Sequence, residues 1–526
     1  MKRLLNSLNN IWSFVILFAF LIVGLLLILP LYNIFVSSFI DNETGSFTLQ
    51  NYIDIIGKGY YRKAIYNSIF VGFSSMFGAL LIGIPLAFFT TRFKIRGKSV
   101  ISTLAILALV SPPFIGAYAW ITMLGSNGWL RHGFESIGIP MPTIYGPLGM
   151  IIVFSLKLYP FVYLLTSGAL SNINSSLEDA AESLGYPPFS KFIHVTLPLI
   201  LPAISTGALL AFVLSLADFG TPSIIGRDFR VLSTVAYNLF TSEMGGNPGL
   251  ASTVSILLIL VSLIFVYMQR IIIRNKDFGS DMLNPPEIKK LTRLTTIPVH
   301  FLCYFIVFLS SMPSLVVIYN SFRKTSGPVF QSGFGLDSYR RVINDVPDAI
   351  FNSFLFSVSA VILIVLCGTL IGYVVARKPS ILTGSLDSML MIPYIVPGVV
   401  LGLGFIVSFN SKPIVLTGTA IIIILVIFIR RLPYSVRSSV SILKQINIGI
   451  EEAAASLGAG PAKTFVKITL PLMLPGVFAG AMMAFITAIN ELSSSIILYV
   501  GGTVTMPVRI YLSVLDGEFG TAASLS

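Results

Sequence analysis

Apolar runs of about 20 residues recur along the chain, separated by short polar passages, and each is long enough to cross a hydrocarbon core as a helix. None alternates with the two-residue period of a barrel strand. The pattern predicts spans at 11–35, 65–90, 100–124, 148–167, 199–216 and 252–273, then at 298–319, 351–376, 386–408, 417–436 and 474–498. The fold class is therefore an all-α polytopic membrane protein with eleven visible spans. The first run is too long, and its neighbours too numerous, for a cleaved signal peptide. Residues 277–297, with Pro285-Pro286 and several charges, read as a linker between a first repeat at 1–276 and a second at 298–526.

The two halves carry one polar passage in two copies. "EDAAESLGYPPFSKFIHVTLPL" begins at Glu178 and "EEAAASLGAGPAKTFVKITLPL" at Glu451, 273 residues later, with 12 of 22 positions identical. The same offset pairs Pro160 with Pro433, Lys157 with Arg430, and Asp218 with Glu491. Upstream, "YNS" at Tyr66 resembles "FNS" at Phe351 with an offset of 285, so the difference falls in the longer loop 126–147. Six spans return a repeat to its starting side, so the copies share one orientation. The first copy runs past "GLASTVS" into a sixth helix, whereas the second stops at "TAASLS". Either the sequence is truncated there or the twelfth span is missing; truncation is the expectation.

Composition agrees with a bilayer protein. The 526 residues are 55% hydrophobic and 11% charged, with a mean hydropathy of +0.88. The net charge of +12 does not mark a nucleic-acid binder, because the basic residues gather in particular loops: Lys2 and Arg3 before the first span, Arg92, Lys94, Arg96 and Lys98 after the second, and Arg270, Arg274, Lys276, Lys289, Lys290 and Arg293 after the sixth. The positive-inside rule makes those sides, and the N-terminus, cytoplasmic. Both copies of the polar passage, in loops 171–198 and 444–471, then face the cytosol, which excludes a substrate-binding role for them. Cys303 and Cys367 read as core residues. His132, His194 and His300 lie far apart without ligand spacing, so no metal site is expected. No phosphate-cradle motif occurs; "GAGPAKT" at Gly458 lacks the glycine before lysine. The chain reads as no enzyme, and its energy source as another subunit.

In the second copy, helix formers and acidic residues open a helix at Glu451, where the dipole favours them, and Gly458 ends it. Ala453 and Ala454 offer a flat small-residue surface for another backbone, and Pro471 and Pro475 mark the turn back into the membrane. The spacing E-A-A, three residues, G, nine residues, I, one residue, L-P resembles the cytoplasmic loop signature of permease subunits of ABC importers. Glu452, Ala453, Ala454, Gly458, Ile468, Leu470 and Pro471 fit throughout. The first copy has Asp179 and Val195 in place of the glutamate and isoleucine, and keeps Ala180, Ala181, Gly185, Leu197 and Pro198.

The resemblance covers nearly the whole chain and implies that each loop, with Glu178 or Glu451 at its head, seats one ATPase subunit through a coupling helix. Two fused permease halves are the pattern of ferric-iron, thiamine, aminoethylphosphonate and sugar-phosphate importers of the type I class. "SLADFGTPSIIG" at Ser215, "VLSTVAYNLF" at Val231 and "RRLPYSVRSSVSILKQI" at Arg430 look most like iron(III) permeases. The implied partners are two ATPase copies carrying ATP and magnesium, a substrate-binding protein outside, and membrane lipid. No cofactor is expected on this chain, and the implied location is the bacterial inner membrane.

Charges inside spans are costly. Lys157 is placed near the middle of its span and Arg430, with Arg431, nearer the cytoplasmic end of its own. Two readings stay open: both face a central path and attract an anionic cargo, or both extend to the cytoplasmic surface as orientation anchors. Asp218 and Glu491 are expected near the outer face, either along the path or as caps and loop partners of Arg227 and Arg230. An ion-coupled secondary transporter is the competing class; it would want carboxylates at mid-membrane.

Overall fold

The computed structural model describes residues 11–110, 113–242, 246–273 and 288–526; Lys2, Arg3, Arg274, Lys276 and linker residues 277–287 lie outside that set. Among the described residues, eight helices are long and apolar enough to cross a membrane: Ile11–Ser37, Gly59–Arg92, Pro147–Ser171, Pro188–Ala217, Pro248–Ile273, Arg293–Ser321, Pro347–Arg377 and Pro461–Ile489. Helix is the form that satisfies every backbone group in lipid without an open edge. Among the described residues, strand is confined to one hairpin, Arg323–Ser326 with Val329–Phe334. Five of the eight helices begin with proline, whose missing N–H costs nothing at a first turn.

The remaining predicted spans differ from the expectation in instructive ways. The one predicted at 386–408 is broken, with Ile381–Ile395 meeting Gly398–Phe409 at 109°, because Pro397 cannot continue the preceding helix. Of the span predicted at 100–124, the described residues Lys98–Val110 and Pro113–Leu124 are helical. The one predicted at 417–436 runs on to Gln445, and the one predicted to reach 498 ends at Ile489. Apolar runs mark where lipid is, whereas helices continue into polar loops and stop inside apolar ones.

Contacts gather the chain into two compact units that cut across the sequence repeats. One takes in the N-terminal helix with Leu239–Ile256 and Arg341–Ile510; the other takes in Tyr52–Asn238, Leu257–Arg340 and Tyr511–Ser526. In the first, Trp12 stacks 4.3 Å from Tyr373 and edge-on at 5.4 Å from Phe465, and Asn33 donates to Ser408 at 2.9 Å. In the second, the helix Arg293–Ser321 lies on first-repeat helices: Ser310 and Tyr159 share a hydrogen bond of 3.0 Å, and Tyr304 donates to the Arg96 carbonyl at 2.8 Å. Each repeat's leading helix thus belongs to the unit built from the other repeat.

Both units are centred on three helices that meet through glycine. A Cβ placed on Gly83 or Gly207 would stand 2.8 or 2.9 Å from Val162; on Gly368 or Gly480 it would stand 2.6 or 3.1 Å from Ser435. These are equivalent positions of the repeat. Lipid supplies no hydrophobic drive for helix association, so such close backbone packing supplies it instead.

Trp12→Ala should lower stability in detergent by about 1–3 kcal/mol through its two lost ring contacts. Phe14→Ala, at a side chain 67% exposed, should leave the thermal midpoint unchanged.

Candidate functional site

The repeated polar passage forms a short helix in each unit, Ser175–Ser183 and Gly449–Ser456. Asn174 caps the first by accepting from the Ser176 N–H at 3.1 Å, one of the helix's otherwise orphan donors. Both helices end on a left-handed glycine, Gly185 at φ +84° and Gly458 at φ +81°. There Tyr186 donates to the Ala181 carbonyl at 3.1 Å and Ala459 to that of Ala454 at 3.0 Å, the closing bond of a Schellman turn. A side chain is strained at that φ whatever the space around it.

A buried ion pair fixes each helix by its first turn. Arg92, the last residue of the helix Gly59–Arg92, donates to Glu178 at 2.7 Å, and Thr196 donates to the same oxygen at 2.7 Å. In the other unit Arg377, the last residue of Pro347–Arg377, donates to Glu451 at 3.0 Å and to the Ile446 carbonyl at 2.8 Å. Tyr373 supplies the hydroxyl there, at 2.9 Å. The two pairs are only 10–16% exposed, so solvent screens them little. The hydroxyl donor has changed place between copies: Phe88 stands where the second repeat has Tyr373, and the Oγ1 of Thr469, equivalent to Thr196, is buried without a partner among the described residues.

The loops after the second span and before the seventh lie at this same end of their unit. Lys94 and Lys289 bond through the backbone at 3.0 Å, and Arg96 N–H donates to His300 at 3.1 Å. Lys191 bonds Glu182 at 2.6 Å; that bond and the fields of Lys191 and Lys289 hold the Glu182 carboxyl below its ordinary pKa.

The alanine pairs do not make one flat surface. Ala181 and Ala454 are buried, while Ala180 and Ala453 face outward beside Asp179 and Glu452, because adjacent helical residues point about 100° apart. The outward face ends in Leu184 and Leu457, 78% and 89% exposed. After each loop the chain re-enters through a π turn, Phe192–Thr196 and Phe465–Thr469. Leu197, Leu470 and Ile468 are half-buried, and Pro198 and Pro471 follow the π turn in the first turn of the next helix.

In the second repeat the intramembrane charges prove to be partners of one another. Arg430 and Arg431 both donate to Glu491, whose side chain is 2% exposed. Ser494 donates to Glu491 through its N–H at 3.1 Å and its hydroxyl at 2.9 Å. The contact is at odds with placing Arg430 toward the cytoplasmic end and Glu491 near the outer face, since the two share one depth. The helix Ala420–Gln445 extends beyond its apolar run, so Arg430 lies about 15 Å from its start, half the depth of a bilayer core. Arg430 and Arg431 turn inward and do not reach out to a surface. Glu491 lies at the same depth, just past the end of its helix at Ile489. In the first repeat Lys157 lies in the field of Asp218. Asp218 accepts from the Thr221 N–H at 2.8 Å, capping the helix Gly220–Ile225, while Arg227 and Arg230 stack on Tyr145 and Tyr60.

Residues 79–277 and 368–518 match the family described as "Binding-protein-dependent transport system inner membrane component". The chain belongs to this family. Both fused halves of the permease are matched, and the likeness to ferric transport permeases runs almost end to end. A ferric transport system permease protein of Actinobacillus pleuropneumoniae is 29% identical over 516 residues, 95% of this chain and 74% of that protein. An Fe(3+)-transport system permease protein of Haemophilus influenzae is 24% identical over 95% of this chain and 93% of its own. A protein described as a 2-aminoethylphosphonate transport system permease, from Salmonella paratyphi A, is 27% identical over 42% of this chain and 84% of its own. The permease is thus a multi-pass component of an ABC importer. The ion-coupled alternative falls on family membership.

Removing one partner of a buried pair leaves an uncompensated charge, so Arg377→Met should cost about 2–4 kcal/mol, whereas the double variant with Glu451→Gln should recover part of the loss. By the same reasoning Glu491→Gln, which strands two arginines, should lower the thermal midpoint more than Arg431→Gln does.

Proposed function

We propose that the chain is the transmembrane permease of an ATP-driven importer of iron(III), receiving its cargo from an extracytoplasmic binding protein. The observation that carries this reading is the doubled loop helix, tied by a buried arginine–glutamate pair to the end of a long membrane helix and presenting an exposed leucine. Each is a coupling helix that seats one of two separate ATPase subunits, which bind ATP and magnesium. Loop segments Glu178–Pro198 and Glu451–Pro471 make up the two sockets. The clustering of Arg92, Lys94, Arg96 and Lys289 at the socket end supports a cytoplasmic location for it and for the N-terminus in the inner membrane.

When ATP binding draws the ATPases together, the coupling helices carry the motion into the spans through their glutamates. Lys157 with Asp218, and Arg430 and Arg431 with Glu491, bound the path by fixing the points where a span stops and the chain turns back. Iron(III) is favoured over a phosphonate because the ferric relatives match over 93–95% of this chain, whereas the phosphonate relative matches over 42% of it.

The test is uptake of radiolabelled iron(III) into proteoliposomes holding the permease, its ATPase and an iron-loaded binding protein. Uptake should require ATP and be lost in Leu184→Glu/Leu457→Glu, which should also release the ATPase on size exclusion. Uptake without an ATPase, or ATPase docking untouched by both substitutions, would contradict the reading.

A further inference from the structure

Beyond Asp218, the segment of the first repeat that turns back from the membrane helix lines, together with Tyr511, a half-open cavity of about 230 Å³. It is bordered by the helix Gly220–Ile225, the turn through Arg230 and the helix Leu232–Thr241. Its lining brings together the guanidinium groups of Arg227 and Arg230, the amide of Asn238 and the hydroxyls of Ser223 and Thr234, and includes no carboxylate. The two hydroxyls donate to the carbonyls of Gly220 at 2.8 Å and Val231 at 2.9 Å, so they face a ligand as secondary groups. Arg227, Arg230 and Asn238 remain as the donors.

The arginines are held in place by rings. Arg227 Cζ lies 3.4 Å from the centroid of Tyr145, and Arg230 Cζ lies 5.0 Å from that of Tyr60. Neither has an ion-pair partner among the described residues. Asp228, between them in sequence, is exposed and does not line the cavity, and the Asp218 carboxylate is turned onto the Thr221 N–H. The turn itself is pinned, since Asn67 donates to the Arg230 carbonyl at 2.9 Å and Phe229 to that of Gly226 at 2.8 Å. Arg227 takes φ +47°, a left-handed conformation that L-residues rarely adopt, with its guanidinium over the Tyr145 ring.

We propose that this cavity binds a small oxyanion of the class of phosphate, carbonate or a short carboxylate. A guanidinium is a donor-only fork matched to oxyanion geometry, and stacking on a tyrosine removes rotamer freedom that binding would otherwise have to remove. The volume is roughly that of seven or eight waters, enough for one such ion with part of its hydration and too little for a peptide segment. An acidic side chain of a docked protein has the same chemistry; a volume of about 230 Å³ suits one small ion. The assignment is independent of the cargo and of the ATPase.

The test is isothermal titration of the purified full chain in detergent with inorganic phosphate, no ATPase being present. Saturable binding with one ion per chain is expected, weakened at least about tenfold by Arg227→Gln or Arg230→Gln. Arg131→Gln, whose guanidinium pairs with Glu135 at 2.7 Å outside the cavity, should bind as the parent does. Should either glutamine variant fail to accumulate, Arg227→Lys and Arg230→Lys keep the charge and lose the fork, and they too should bind less tightly. Absence of saturable phosphate binding by the parent chain, or binding that none of these variants changes, overturns the proposal. Loss of binding-protein capture in the arginine variants, with no phosphate binding by the parent, assigns the arginines to partner carboxylates and overturns it equally.

Discussion

A carboxylate buried in the first turn of a surface helix needs a cation, and in both units the cation comes from the last residue of a membrane helix. That single pairing, Arg92 with Glu178 and Arg377 with Glu451, turns a loop into part of a rigid body. The helix dipole favours the carboxylate where it lies, and low exposure strengthens the Coulomb attraction while raising the cost of losing either partner. The hydroxyl that completes each pair is supplied by Thr196 in one copy and Tyr373 in the other. What both copies retain is a hydroxyl at the carboxylate, even though the residue that bears it differs.

The rest of the fold positions these pairs. Glycine contacts at Gly83, Gly207, Gly368 and Gly480 bring three helices of each repeat to backbone distance, which leaves little freedom for one to slide against another. A displacement at the loop helix is therefore passed to the bundle and not absorbed in side chains. The second ion cluster, Arg430 and Arg431 on Glu491, holds the other end of the re-entering helix where it stops at mid-depth. The two repeats differ here: one has a lysine in the field of an aspartate, the other two arginines on one glutamate. That difference makes the halves mechanically unequal although their sockets match.

The span pattern and the doubled loop were legible because both are local: twenty apolar residues, or one motif, suffice to see them. The anchors were not, since Arg92 and Arg377 follow the 285-residue offset while the loops follow the 273-residue one, and a positive-inside reading explains Arg92 without a partner. Arg430 and Glu491 were each matched to their counterparts in the other repeat, but pairing within a repeat spans 61 residues and leaves no local trace. The break at Pro397 did have a signal, the proline itself, which an apolar window averages away. The split of the alanine pairs into a buried and an exposed member follows from helical geometry alone and was available to a closer reading.

The central claim is that each loop helix and the span carrying its arginine move as one lever. Spin labels at Ser183, on the loop helix, and at Phe77, 60% exposed on Gly59–Arg92, would measure this by pulsed electron resonance in the complex with its ATPase. The account predicts one narrow distance that is the same without nucleotide and with ATP bound, broadening when Arg92 is replaced by Met. A distance that shifts on ATP binding while Arg92 is intact would contradict it.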